Sequence, residues 1–237
     1  MIKEKDFVEL NYTGKIKEDN FIFDTTDEKV AKENDVFQEG AEYVPAVICV
    51  GQGQLIKGID SALPGKEVNK EYTLDVSPDD AYGKKSAKLI QLISTSKFLK
   101  EKIQPMPGLQ VNIDGTMGIV KTVSGGRTLV DFNHPLAGKE LVYDIKVNKI
   151  ITDDKEKLQS ILKINLGLKD SEIKVENKKA EIKTEQELPQ EIQVELKKKI
   201  IELLPHLEDI TMSKSEKKPK EDKAKQENLN KSNATEE

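Results

Sequence analysis

"VGQGQLIKGIDSALPG", Val50 to Gly65, places glycines at 51, 53, 58 and 65 around a short apolar run. Two phosphate-cradling readings fail on spacing. A G-x-G-x-x-G fingerprint needs a third glycine where Ile56 stands. A G-x-x-x-x-G-K-[ST] loop needs Lys and Ser/Thr where Ile59 and Asp60 follow Gly58. The alternative is structural. "VICV" is a strand that ends at Gly51, and Leu55, Ile56, Ile59 and Leu63 recur at helical spacing on one face. Pro64 and Gly65 stop that helix. The stretch therefore predicts strand, glycine turn and short helix, and the chain around it must supply what the helix covers.

Upstream, "FVELNYTG" predicts a strand with Gly14 at its turn, and "NFIFDTT" its partner. "DEKVAKENDVFQEGAEYVP" is polar and partly helical in composition, the pattern of a flap. Downstream, "EYTLDVSPDDAYG" predicts a strand entering a Pro-Asp-Asp-Ala turn. After "LIQLIS" and a helix starting at Thr95 or Ser96, "LQVNI", "MGIVKTVS" and "RTLVDF" predict three strands. Asp114–Gly115 and Gly125–Gly126 are hairpin signals. "HPLAGKELVYDIKVNKII" then returns to the composition of the first strands, so residues 86–132 form a unit inserted between 1–85 and 133–152. Residues 153–210 predict helix, hairpin and helix, a small α+β module. Residues 211–237, Lys/Glu/Gln/Asn-rich, predict a disordered tail.

The totals narrow the function. The chain has 237 residues, 34% of them charged, and a net charge of −5, which argues against a nucleic-acid partner. The one cysteine, Cys49, lies in an apolar strand and predicts an inert core residue. His134 and His206 stand far apart with no ligand spacing, so neither metal nor cofactor is expected. No apolar run approaches the roughly 20 residues of a membrane span, and the charged N-terminus does not read as a signal peptide. A soluble, cytoplasmic protein is expected.

Five short strings then fall in order: "NYTG" at 11–14, "FDTT" at 23–26, "GQLIKGID" at 53–60, "AYG" at 81–83 and "LVYD" at 141–144. Together they resemble the motifs of the FKBP family of peptidyl-prolyl isomerases. The insertion and "HPLAGK" at 134–139 are similar to its SlyD-like branch, and the C-terminal module to long archaeal members. The resemblance implies an antiparallel half-barrel around a short helix, with an inserted β-rich domain that acts as a chaperone. It implies a proline pocket with Tyr12, Phe23, Asp24, Ile56, Tyr82 and Tyr143 as catalytic positions. Leu55 and Ile59 line that pocket, and the Ile56 N–H takes a substrate carbonyl. Many relatives carry tryptophan where this chain has Ile59 and an aromatic where it has Ala46, which implies a more open, aliphatic pocket.

Each residue also has a plainer reading. Tyr12, Phe23 and Tyr143 alternate on strands as core residues do. Asp24 fits a helix cap in "DTTDE", and Tyr82 fits a turn anchor. The functional assignment rests on the ordered set. Phe98, Leu99, Met106 and Met117 supply more apolar surface than so small an insert easily buries, and are expected to hold clients. The expected partners are unfolded or nascent proline-containing polypeptides. The stripe Ile192, Leu196, Ile200, Leu203 and Leu204 suggests a homodimer through the C-terminal module, with packing on its own hairpin as the alternative. A non-catalytic binding module and a dimeric scaffold are the competing functions.

Overall fold

The computed structural model describes residues 1–169 and 171–215. The chain divides into two compact units, Met1–Ile150 and the residues from Ile151 onward. It is a mixed α+β protein with mostly antiparallel sheets and few, short helices.

In the first unit, β1 (Phe7–Ile16) has three neighbours. Its first half, Phe7–Leu10, pairs with β3 (Ala46–Cys49), and its second half, Thr13–Lys15, pairs with β2 (Ile22–Thr25). β9 (Leu141–Ile151) takes the other edge and is itself paired with β4 (Glu71–Val76). Gly14 does not turn the chain as expected. The strand continues through Gly-Lys-Ile, and Gly14 sits inside it opposite Asp24.

Alternation along these strands points one face inward. Val8 and Leu10 of β1, Leu141, Tyr143, Ile145 and Val147 of β9, and Val76 of β4 form one buried cluster. The helix that covers it is a single turn, α2 (Lys57–Asp60), shorter than the apolar spacing suggested. Ile59 and Leu63 reach the cluster, while Leu55 and Ile56 pack against it from the segment ahead of the helix. Gly58 allows the approach, since a Cβ there would lie 2.4 Å from a Val76 methyl. The glycine turn is held by the helix itself. The buried Asp60 carboxylate accepts the N–H groups of Gly51 and Gly53, both at 2.8 Å. The anion cradled by this loop is the protein's own.

The insertion builds a separate sheet in the order β5 (Ile90–Ser94), β8 (Arg127–Asp131), β7 (Thr116–Ser124), β6 (Gln110–Ile113). Both hairpin turns have two successive positive-φ residues, Asp114–Gly115 and Gly125–Gly126, as the turn signals require. Phe98, on α3 (Thr95–Lys100), is buried with Val111, Val120 and Val130. Phe98 is thus corrected from client contact to core: a small sheet needs one large side chain to close its inner face. Leu99 beside it, Met106 and Met117 are all more than half exposed.

The second unit contains α4 (Asp154–Leu166), β10 (Glu172–Glu176), β11 (Lys179–Thr184), α5 (Gln190–Leu203) and β12 (Asp209–Lys214). β10 and β11 are the expected hairpin. β12 runs parallel to β11 and was expected to lie mostly in the tail. The period-two pattern of "DITMSK" is hidden by its charged surroundings, yet Ile210 is buried. Residues 216–237, the rest of that expected tail, lie outside the described residues. Of the stripe proposed for a dimer, Leu196, Ile200, Leu203 and Leu204 are already buried in the single chain, and Ile192 is half-buried.

Candidate active site

Tyr12 and Gly14 project to the same face of β1. A bulge where β1 meets β2 shifts the register between Gly14 and Lys15. A bulge re-aims side chains, and here two successive residues, Phe23 and Asp24, both reach that face. The Tyr12 hydroxyl donates to Asp24 Oδ2 at 2.9 Å. The ring of Phe23 enters the space that Gly14 leaves. A Cβ on Gly14 would stand 2.8 Å from the Phe23 ring tip and 2.7 Å from a Tyr143 ring carbon. Tyr143, from β9, meets Phe23 edge-on at 5.8 Å and Tyr12 tilted at 6.1 Å. A glycine inside a strand thus makes room for an aromatic group assembled from three strands.

The capping alternative for Asp24 is settled by its neighbour. Asp27, not Asp24, caps α1 (Glu28–Glu33), accepting from the N–H groups of Lys29 and Val30. Thr26 ties the end of β2 back to β1, its Oγ1 accepting the Tyr12 N–H at 3.0 Å.

Burial, then the Asp24 carboxylate, holds the Tyr12 hydroxyl far above its ordinary value. Burial, then the neighbouring Tyr82 hydroxyl, and then Asp24 and Tyr12, do the same for Tyr143. Both phenols therefore remain protonated hydrogen-bond donors through the working pH range.

Leu55 and Ile56 are half-buried ahead of α2, and Ile59 is buried beneath them. Among the described residues no acceptor takes the Ile56 N–H. Tyr82 follows a 3₁₀ turn over Pro78–Asp80, with Gly83 N donating to Pro78 O at 2.7 Å. Its ring lies flat on His134, centroids 4.2 Å apart and planes 2° from parallel. The sequence offered His134 only within "HPLAGK", with no sign of this partner. The missed signal was an aromatic-capable side chain at the point where the insertion rejoins the sheet. The structure brings Tyr12, Phe23, Asp24, Tyr82 and Tyr143 into one group. It places Phe98, Leu99, Met106 and Met117 in the insertion. Among the described residues no three His, Cys, Asp or Glu side chains gather as metal ligands, and no helix is long and apolar enough to cross a membrane.

A family model described as "FKBP26, IF domain" matches residues 91–136, within the insertion and its return. The chain is 36% identical over 150 residues to the short-type peptidyl-prolyl cis-trans isomerase of Methanocaldococcus jannaschii, covering 63% of this chain and 94% of that protein. It is 35% identical over 111 residues to the FKBP-type 16 kDa peptidyl-prolyl cis-trans isomerase of Escherichia coli strain K12, covering 45% and 74%. It is 30% identical over 105 residues to the FKBP-type peptidyl-prolyl cis-trans isomerase SlyD of Haemophilus influenzae, covering 41% and 53%. With the five motifs brought together around one aromatic group, the chain belongs to the FKBP-type peptidyl-prolyl cis–trans isomerases.

Proposed function

We propose that Tyr12, Phe23, Asp24, Leu55, Ile56, Tyr82 and Tyr143 bind the proline of an X–Pro segment and catalyse its isomerisation, and that the insertion holds the unfolded chain that carries it. In this reading the five-stranded sheet is a half-barrel wrapped on α2, with the proline entering over Ile59. The observation that carries it is the aromatic group around Gly14, together with an Ile56 N–H that has no acceptor among the described residues.

Rotation about an X–Pro bond is slow because it breaks amide resonance, a barrier of about 18–20 kcal/mol. The twisted amide has lost charge separation, so apolar walls favour it over the planar one. Every ~1.4 kcal/mol gained this way is about tenfold in rate. The Ile56 N–H holds one carbonyl while the other end of the segment turns. The Tyr143 hydroxyl is a protonated donor at the wall, Tyr82 lies beside it, and Asp24 is oriented by Tyr12. No proton or electron is transferred in this scheme. The client-holding half of the proposal is supported by the exposed apolar residues of the insertion, Leu92, Leu99, Met106 and Met117.

A proline-containing tetrapeptide in a protease-coupled assay tests the pocket. The protein should accelerate isomerisation, and Asp24→Leu should lower kcat/KM by about tenfold, the worth of one charge-assisted hydrogen bond, with an unchanged circular dichroism spectrum. A folded Asp24→Leu protein with the parent's rate would remove Asp24 from the mechanism.

A further inference from the structure

The insertion is joined to the first sheet by two passages of chain, and these are fastened to each other. The Asn133 side chain accepts the Ser86 N–H at 2.8 Å and donates to the Ser86 carbonyl at 3.1 Å. It also donates to Asp131 Oδ1 at 2.7 Å, and that oxygen accepts the Asn133 N–H at 2.9 Å. Phe132 N donates to Leu89 O at 2.9 Å and Gly138 N to Gly83 O at 2.8 Å. His134 follows directly. Its Nδ1 accepts the Leu136 N–H at 3.2 Å and its carbonyl accepts the Ala137 N–H at 2.9 Å. The imidazole is therefore fixed to the returning passage, and its face covers Tyr82 on the outgoing one.

We propose that His134 is a positioning residue for the isomerase site: its ring sets the orientation of the Tyr82 ring and thereby links the seating of the insertion to the geometry of the proline pocket. This rests on the reading of Tyr82 as part of that pocket. Tyr82 needs such a partner. It sits after a single 3₁₀ turn, outside any strand, so the strand ladders that fix Tyr12 and Tyr143 do not fix it. Parallel contact with a second ring restricts both ring rotation and tilt. A movement of the insertion about its two-passage neck shifts the imidazole and so shifts Tyr82. A client held by the insertion can in this way alter catalysis without touching the pocket.

The test uses the full chain with ring-labelled tyrosine, the Tyr82 signals being identified by their loss in Tyr82→Phe. Replacing His134 by Ala should speed the flipping of the Tyr82 ring, read from the line widths of its signals, and leave that of Tyr72 unchanged. It should also lower kcat on a proline tetrapeptide by about three- to tenfold, the worth of one aromatic pair, with little change in KM. His134→Phe, which keeps a flat ring, should restore both. A merely structural role for the turn would instead lower the melting temperature and leave Tyr82 ring flipping unchanged. Unchanged Tyr82 ring flipping in a folded His134→Ala protein, or an unchanged kcat, would overturn the proposal. If the parent itself does not accelerate the tetrapeptide, the isomerase reading of the pocket fails, while the ring flipping alone still decides whether His134 fixes Tyr82.

Discussion

The insertion and the C-terminal module each fold a small sheet, and their outer faces carry opposite chemistry. In the module, Glu172 stands opposite Lys183, Lys174 opposite Glu181, and Glu176 opposite Lys179. Lys179 in turn stands beside Asp209 and pairs with it at 3.5 Å. The other face carries Ile173, Ala180, Ile182 and Ile210, all buried. Two helices of 13 and 14 residues bury Leu158, Ile161, Leu162, Leu196 and Ile200. The insertion has one helix of six residues, which buries Phe98. Its second sheet face stays open, with Leu92 opposite Leu129, and Ile90, Ile119 and Met117 on the same side. Most large apolar residues of the module are buried, with Ile164, Val194 and Ile201 left exposed on its helices. In the insertion a surplus remains at the surface, larger than the scattered single residues of an ordinary exterior.

The contrast breaks most easily in the module. Ile200→Ala should destabilise it by about 2–5 kcal/mol, the usual cost of emptying a buried isoleucine site, while tetrapeptide isomerisation is unchanged. Chemical unfolding monitored beside the assay checks this, and a stable variant would mean that the stripe is not core. The open face of the insertion should behave in the reverse way. In the double variant Leu92→Glu, Met117→Glu, catalysis of refolding of a proline-limited protein should fall about tenfold or more, since each buried apolar side chain contributes roughly 1.5–3 kcal/mol. Its tetrapeptide rate should match the parent's. Equal refolding rates would assign client holding elsewhere.

The smallest effect is one of pH. Burial pushes the Asp131 carboxyl up, but the hydrogen bonds from Asn133, then Lys85 and Lys121, outweigh it and leave it below the ordinary value. A lowered value in the folded state stabilises fully above the unfolded Asp value of about 4 and is lost as pH falls through the folded value. The protection of the insertion's amides, relative to their intrinsic exchange at each pH, should therefore fall on acidification below about pH 4. In Asp131→Asn that part of the dependence should be absent. A variant with the parent's acid profile would show that Asp131 does not hold the neck.

Much of this was legible in the sequence where a local rule had one solution. The paired turn residues at 114–115 and 125–126 admit little but hairpins, and the strand–glycine–helix order of Val50–Gly65 held, with a shorter helix. What was not legible depended on partners distant in the chain. Gly14 reads as a turn until Phe23 and Tyr143 are seen to occupy its missing side chain. Asp60 reads as a helix residue until its carboxylate is found on Gly51 and Gly53. β12 pairs in parallel with a strand some thirty residues earlier, a contact that no local pattern announces. In the candidate site, Tyr12 and Asp24 were singled out through motif order, whereas the contact of His134 with Tyr82 was missed because it exists only once two separate passages lie side by side.

The fastening of Ser86 to Asn133 also bears on how such a chain could arise and be altered. Because the insertion leaves and re-enters the first sheet at one hydrogen-bonded point, its two ends are neighbours. A segment with adjacent ends can be lost, gained or exchanged at a surface loop without stretching the host. The neck thus works as a socket. Any small unit whose termini lie side by side could be fitted there, and the host would carry a different surface beside the same aromatic group.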